Sequence, residues 1–316
     1  MSRFDENDYY LDEEGSIARR RSSKRLRRRS KRFADELIDP RNLPSDAFTP
    51  TYRGSRHEQH WILTYLGPFY ESGHIVDVLY QVRGGKEANV YCCRAHPSQG
   101  VDFLAAKLYR PRMFRNLRND GAYREGRQLL GHGGQPVRDR RSLAAVKRGT
   151  DFGKHVVHAS WLNHEYHTLE LLHAAGCDVP KPHVMGENVI LMDYQGDEMR
   201  GAPTLGQVRL EPDEAKRLFD QLMGDIETML RVGRVHGDLS AYNVLYWEGR
   251  ISIIDVPQAF DPWYNPNAYA LFTRDVERVC QYFDRYGISH DSSRIAHELW
   301  TAVLPEPGSE IGPLPE

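Results

Sequence analysis

Residues 235–256 read VHGDLSAYNVLYWEGRISIIDV, and how that stretch is read decides the rest of the chain. Three polar residues, Asp238, Asn243 and Asp255, interrupt an otherwise apolar pattern. Val244 to Trp247 predicts a strand, Glu248-Gly249-Arg250 a tight turn, and Ile251 to Ile254 the returning strand. Such a hairpin carries Asp255 back to the end where Asn243 stands. Asp238 and Asn243 are five positions apart, the spacing at which one loop presents a base and a magnesium-binding amide to a phosphoryl group. Magnesium is a hard cation and takes oxygen ligands, which suits Asn243 and Asp255. Asp238 needs only to reach a hydroxyl or a water. Asp and Asn also serve as plain turn formers. Three of them at this spacing, with His236-Gly237 in front, point instead to phosphoryl transfer.

Working outward toward the N-terminus, Ile75 to Val82, Val90 to Arg94 and Phe103 to Tyr109 predict three strands. Gly84-Gly85-Lys86 lies in the first turn and Lys107 sits alone among apolar neighbours on the third strand. A strand, a Gly-containing turn and a strand lay backbone N–H groups over phosphates. His57 to Leu66 predicts a helix that Gly67-Pro68 ends. His155 to Ala175 predicts another, with Trp161, His164, Thr168 and Leu172 near one face and Glu165 beside them. Val189 to Met192 predicts a strand, and Asp193 to Gly196 a linker. Leu218, Leu222, Ile226 and Leu230 recur every four residues within a long amphipathic helix over 211–232. Residues 267–286 and 292–303 predict two more helices. A sheet with one helix, followed by a mainly helical half that carries the catalytic loop, is a two-lobed arrangement. Its cleft takes a nucleotide, and Met192 to Gly196 form the hinge.

The chain has 316 residues, 40% of them hydrophobic, and a net charge of -2. That length buries a sizeable core. The charge is uneven: residues 19–32 hold ten Lys or Arg and no acid, whereas residues 1–14 hold six acids. A head of that kind cannot bury enough apolar surface to order itself. No apolar run approaches a membrane span and no secretory h-region is visible. Four cysteines without framework spacing read as reduced thiols of a cytoplasmic protein. The expected division is a disordered tail over 1–50, a helical extension over 51–74, an N-lobe over 75–194 with a mobile insert at 110–153, a C-lobe over 195–304 and a Pro-rich tail over 305–316. The fourteen histidines include pairs at His57/His60 and His164/His167, whose spacing of three does not match the zinc helix HExxH.

Several segments then converge. GKEANVY at 85–91, AAKLY at 105–109, Trp161 with Glu165, VPKP at 179–182, HGDLSAYN at 236–243 and IDV at 254–256 together make the chain resemble the RIO family of atypical protein kinases, the RIO1-like branch most. The resemblance covers roughly residues 75–286. It implies an α+β, two-lobed protein-kinase-like fold with a small β-rich N-lobe and a mainly helical C-lobe lacking the full activation segment. It implies that Lys107 holds the α- and β-phosphates of ATP, that Glu165 is its helix partner, and that Gly85 and Lys86 lie in the phosphate loop. The hinge residues Met192 and Tyr194 join them as nucleotide contacts. Asp238 stands as the catalytic base, and Asn243 and Asp255 as the ligands of Mg2+. Asp255 is also a candidate phospho-aspartate, so the implied activities are a serine protein kinase, acting on itself among others, and an ATPase. A role in ribosome biogenesis is implied as well, in which the basic run 19–32 contacts rRNA or ribosomal particles; the bland reading of that run is a solvated tail whose Ser22, Ser23 and Ser30 are autophosphorylated.

The departures from ordinary protein kinases are visible. GGKEAN stands in place of GxGxxG, Asp255 precedes Val-Pro rather than Phe-Gly, and no Ala-Pro-Glu follows. Within the family, Gly237 stands where many members have Ala, and Pro257 where many have Ser. Small-molecule phosphotransferases of the aminoglycoside or choline kinase kind share an HGDLxxxN segment, which makes them the rival reading. A non-catalytic assembly factor switched by nucleotide is the third.

Overall fold

The computed structural model describes residues 48–85, 87–109, 129–131 and 134–304. The expected tails, the basic run 19–32 and Lys86 lie outside the described residues, as do 110–128 and 132–133 of the expected insert.

Helix α1 (Arg56–Glu71) opens on a capping box in which Ser55 and Glu58 satisfy each other's backbone N–H groups. It runs through Gly67-Pro68, where the sequence predicts a stop. Pro68 sits in the last turn, so it removes a single helical donor, and the turn continues because burying Leu66 and Phe69 holds it in place. Strands β1 (Ile75–Gly84), β2 (Ala88–Ala95), β3 (Phe103–Tyr109), β4 (Pro182–Met185) and β5 (Val189–Asp193) form one antiparallel sheet in the order β1-β2-β3-β5-β4. Strand β4 has no counterpart in the sequence reading, because its prolines mask it; a strand that begins on Pro182 is tolerated at the sheet edge it occupies.

Alternation along β3 gives the sheet two unlike faces. Leu104, Ala106 and Leu108 join Val189, Leu191, Cys93 and the buried face of α1 in one core. Ala105 and Tyr109 join Ile190, Met192 and the following helices in the other. Those helices are α2 (Arg140–Lys147) and α3 (Asp151–Ala174), capped by Asp139 and Thr150. The segment expected as a mobile insert therefore includes, from residue 140 on, one capped helix and the first turn of a second. Its Arg-rich composition hides the helix because α2 buries little apart from Ser142.

The second lobe holds α4 (Pro212–Arg231), the hairpin β6 (Val244–Trp247) and β7 (Arg250–Ile253), α5 (Ala268–Asp284) and α6 (Ser292–Thr301). Both Glu248 and Gly249 have positive φ, the geometry of a two-residue hairpin turn that twists with its strands. Residues 256–267 alone separate Asp255 from α5. The architecture is α+β in two lobes. All four cysteines are buried and free. Among the described residues no helix is long and apolar enough to cross a membrane.

Candidate active site

Lys107 is placed by β3 opposite Ile190 of β5 and Val90 of β2. Its ammonium donates to Glu165 Oε1 of α3 at 2.5 Å and to Asp255 Oδ1, just past β7, at 2.7 Å. Glu165 Oε2 also accepts from the Tyr109 hydroxyl. The Lys107 and Glu165 side chains are 13% and 2% exposed, whereas Asp255 is 49% exposed and opens to solvent. Burial by itself would lower the Lys107 pKa, but Asp255 and Glu165 outweigh it and the net shift is upward. Burial pushes Glu165 up despite Lys107. The Lys107 charge holds Asp255 below its usual range, with smaller help from His236 and Arg83 at the end of β1. The ammonium therefore stays charged and Asp255 stays ionised, so the cluster carries a cation faced by an exposed carboxylate.

Asp238 and Asn243 belong to the loop before β6. Gly237 adopts a left-handed conformation ahead of Asp238, and Asp255 adopts one at the far end of the hairpin. A non-glycine residue held there marks a locally imposed geometry. The Asn243 side-chain amide donates to the Asp238 carbonyl at 2.9 Å, which leaves its Oδ1 free to accept or to ligate. Ile254 N–H donates to the Asn243 carbonyl at 2.9 Å, and His236 Nε2 donates to the Ile254 carbonyl at 3.2 Å. His236 Nδ1 in turn accepts from Asp238 N–H at 3.2 Å. These two bonds fix a neutral tautomer, and burial lowers the His236 pKa accordingly. One buried imidazole thus ties the loop of Asp238 to the strand end that bears Asp255.

Gly85 donates to the Ala88 carbonyl at 2.9 Å across the β1–β2 turn, and a Cβ there would lie 2.8 Å from that carbonyl oxygen. Met192 is buried on β5 opposite Ala105. Tyr194 follows β5, and its hydroxyl meets that of Tyr80 at 2.5 Å. Among the described residues the structure thus brings together Lys107, Glu165 and Asp255 directly, and joins Asp238 and Asn243 to them through His236 and Ile254. Met192, Tyr194 and Gly85 line strand ends around that cluster without bonding to it.

Two neighbours escape a reading of the sequence. Tyr109 reads as one more apolar strand residue, yet its hydroxyl serves Glu165. Asp275 on α5 accepts from Gly237 N–H at 2.7 Å and from Leu239 N–H at 3.1 Å, bracketing Asp238. Its signal was available: it is an acid on the apolar stripe of Leu271, Phe272, Val276 and Val279. Trp161 and His164, quoted above for their helix face, donate to the carbonyls of Pro257 and Ala259 and so fix the segment after Asp255 to α3.

A sequence model of the RIO domain matches residues 136–295. The chain is 32% identical over 232 residues to the RIO-type serine/threonine-protein kinase Rio1 of Haloferax volcanii, covering 71% of this chain and 69% of that one. The chain belongs to the RIO family. It is also 27% identical over 230 residues to the serine/threonine-protein kinase RIO1 of Caenorhabditis elegans, and 30% identical over 240 residues to that of Chaetomium thermophilum. It spans 41% and 43% of the lengths of those two relatives. The RIO match takes in α3, both lobes of the cluster and the hairpin, and its relatives are RIO1 proteins, as the resemblance implies.

Proposed function

We propose that this RIO chain transfers the γ-phosphoryl group of ATP to protein serine, itself included, or to water. The observation that carries the reading is the Lys107 ammonium bridging Glu165 and Asp255 beside a loop whose Asp238 and Asn243 are tied to the same strand end. Lys107 keeps its charge and donates to the α- and β-phosphates, and Glu165 with Tyr109 sets its direction. Asp238 takes the proton of the attacking hydroxyl or water. Gly85 keeps the phosphate turn tight, with Lys86 in the same loop, and Met192 and Tyr194 flank the base of the nucleotide.

The donor set fits magnesium: a half-exposed carboxylate and an amide oxygen freed by the bond that its own nitrogen makes. Asn243 and Asp255 would hold Mg2+, which supplies neutralisation of phosphate charge. In the ATPase branch an Asp255 carboxylate oxygen attacks the γ-phosphorus as the bond to ADP breaks. Water then attacks the acyl-phosphate, Asp238 takes its proton, and phosphate leaves. Family membership favours a protein acceptor over an amino sugar or choline. We assign the work to the cytoplasm and to ribosome biogenesis, with the basic run 19–32 as a salt-dependent rRNA contact.

The test is incubation with labelled ATP and magnesium, followed by mapping of the label and its acid stability. Acid-stable label on serine supports the kinase branch and acid-labile label on Asp255 the ATPase branch. Asp238→Ala is expected to cut both serine labelling and phosphate release by about 10²–10⁴-fold while nucleotide still binds. Turnover equal to that of the unaltered protein would overturn the assignment.

A further inference from the structure

Helix α5 meets the catalytic loop through three side chains on one face. Arg274 donates to the Gly237 carbonyl, and Asp275 accepts from the N–H groups of Gly237 and Leu239. Arg278, one turn further on, donates from Nη1 to Asp238 Oδ1 at 2.7 Å. The first two contacts hold the backbone on either side of Asp238. The third reaches its side chain. Among the described residues this is the one hydrogen bond to the Asp238 carboxylate, and Asp238 is the one acceptor that Arg278 meets.

The pair is not built for stability. Its side chains are 38% and 45% exposed, and ion pairs so placed contribute little to folding. Its geometry bears on the reaction instead. A base carboxylate with two free torsions and solvent around it samples several rotamers, and a misplacement of about 1 Å can cost about 10²-fold in rate. A guanidinium on Oδ1 removes that freedom and leaves Oδ2 for the acceptor.

We propose that Arg278 is the positioning residue of the base: it takes one oxygen of Asp238 and aims the other at the acceptor hydroxyl. The inference rests on the kinase reading above. In the step it serves, the hydroxyl oxygen bonds to the γ-phosphorus, the bond from that phosphorus to ADP breaks, and the hydroxyl proton passes to Asp238 Oδ2. A guanidinium holds a carboxylate in a planar fork, whereas a lysine ammonium offers a point charge.

The experiment compares the full chain with Arg278→Met, Arg278→Lys and Asp238→Ala in single-turnover transfer to serine at saturating ATP and magnesium. It also reads KM for ATP and the melting temperature. Arg278→Met keeps the apolar stem and loses the donors. It is expected to slow transfer by about 10- to 100-fold, with KM for ATP within about twofold and melting unchanged, and Arg278→Lys recovers part of the rate. Transfer by Arg278→Met at the unaltered rate or faster overturns the proposal, and so does a rate loss matched by loss of ATP affinity and of melting temperature. Should the unaltered chain transfer no more label than Asp238→Ala, the kinase reading falls and takes this inference with it. An active parent with an indifferent Arg278→Met removes the inference alone.

Discussion

On one side of β3, Leu104, Ala106 and Leu108 are buried against α1 and the strands beside them; on the other, one residue out of step, stand Ala105, Lys107 and Tyr109. The first face is dry and its residues could be exchanged for others of similar volume. The second holds a cation between a buried and an open carboxylate, and its residues are fixed by charge and by hydrogen-bond count. A strand can carry both because its side chains alternate, so each face answers to a different selection without disturbing the ladder between them. The polar face governs turnover and the apolar face governs stability, and substitutions can test that separation.

Lys107→Met breaks the polar face and has the largest expected effect. Removing one preorganised donor to a reacting charge costs about 10²–10³-fold, so phosphoryl transfer should fall at least that far. It also leaves Glu165 buried beside Tyr109 without its cation, which destabilises the fold. The double variant Lys107→Met/Glu165→Gln should regain melting temperature and none of the activity. Recovery of activity with melting would show that the two residues serve the fold alone.

Leu104→Ala breaks the other face. Leu104 is fully buried, and truncating such a leucine costs about 2–5 kcal/mol. Denaturant titration should show that loss, while transfer per folded molecule at low temperature stays at the parent value. A fall in transfer per folded molecule would mean that the dry face reaches the chemistry through the sheet.

The hairpin and its three polar residues were legible because polar side chains broke an apolar pattern at a spacing with one chemical use. Lys107 stood out for the same reason on β3. The partnership of Glu165 came from the family resemblance, since a glutamate on a helix face reads as solvated until a strand is laid over it. Arg278 and Asp275 were missed because they act across elements far apart in sequence, where no local pattern records the contact. The stop expected at Gly67-Pro68 failed because tertiary burial of Leu66 and Phe69 outweighed a local preference. Strand β4 was hidden by prolines that only its edge position makes tolerable.

A third carboxylate sharpens the comparison at the small end. Asp225 of α4 is buried like Glu165 but has no cation: its Oδ1 accepts from Asp178 N–H at 3.0 Å, and Oδ2 has no partner among the described residues. Burial raises its pKa to about 7, with the Asp178 N–H opposing. The folded state then holds a proton that the unfolded chain releases near its ordinary carboxylate pKa. Asp225 therefore contributes stability that is full below about pH 4 and is lost as pH rises through about 7. Asp225→Asn keeps an acceptor for Asp178 N–H and carries no charge at any pH. Its melting temperature should gain on the parent as pH is raised from about 5 to about 8, by an amount on the order of 1 kcal/mol. A difference that stays constant with pH would place the Asp225 proton elsewhere. Glu165→Gln should behave differently, losing stability at both pH values, because there the lost charge was paired with Lys107.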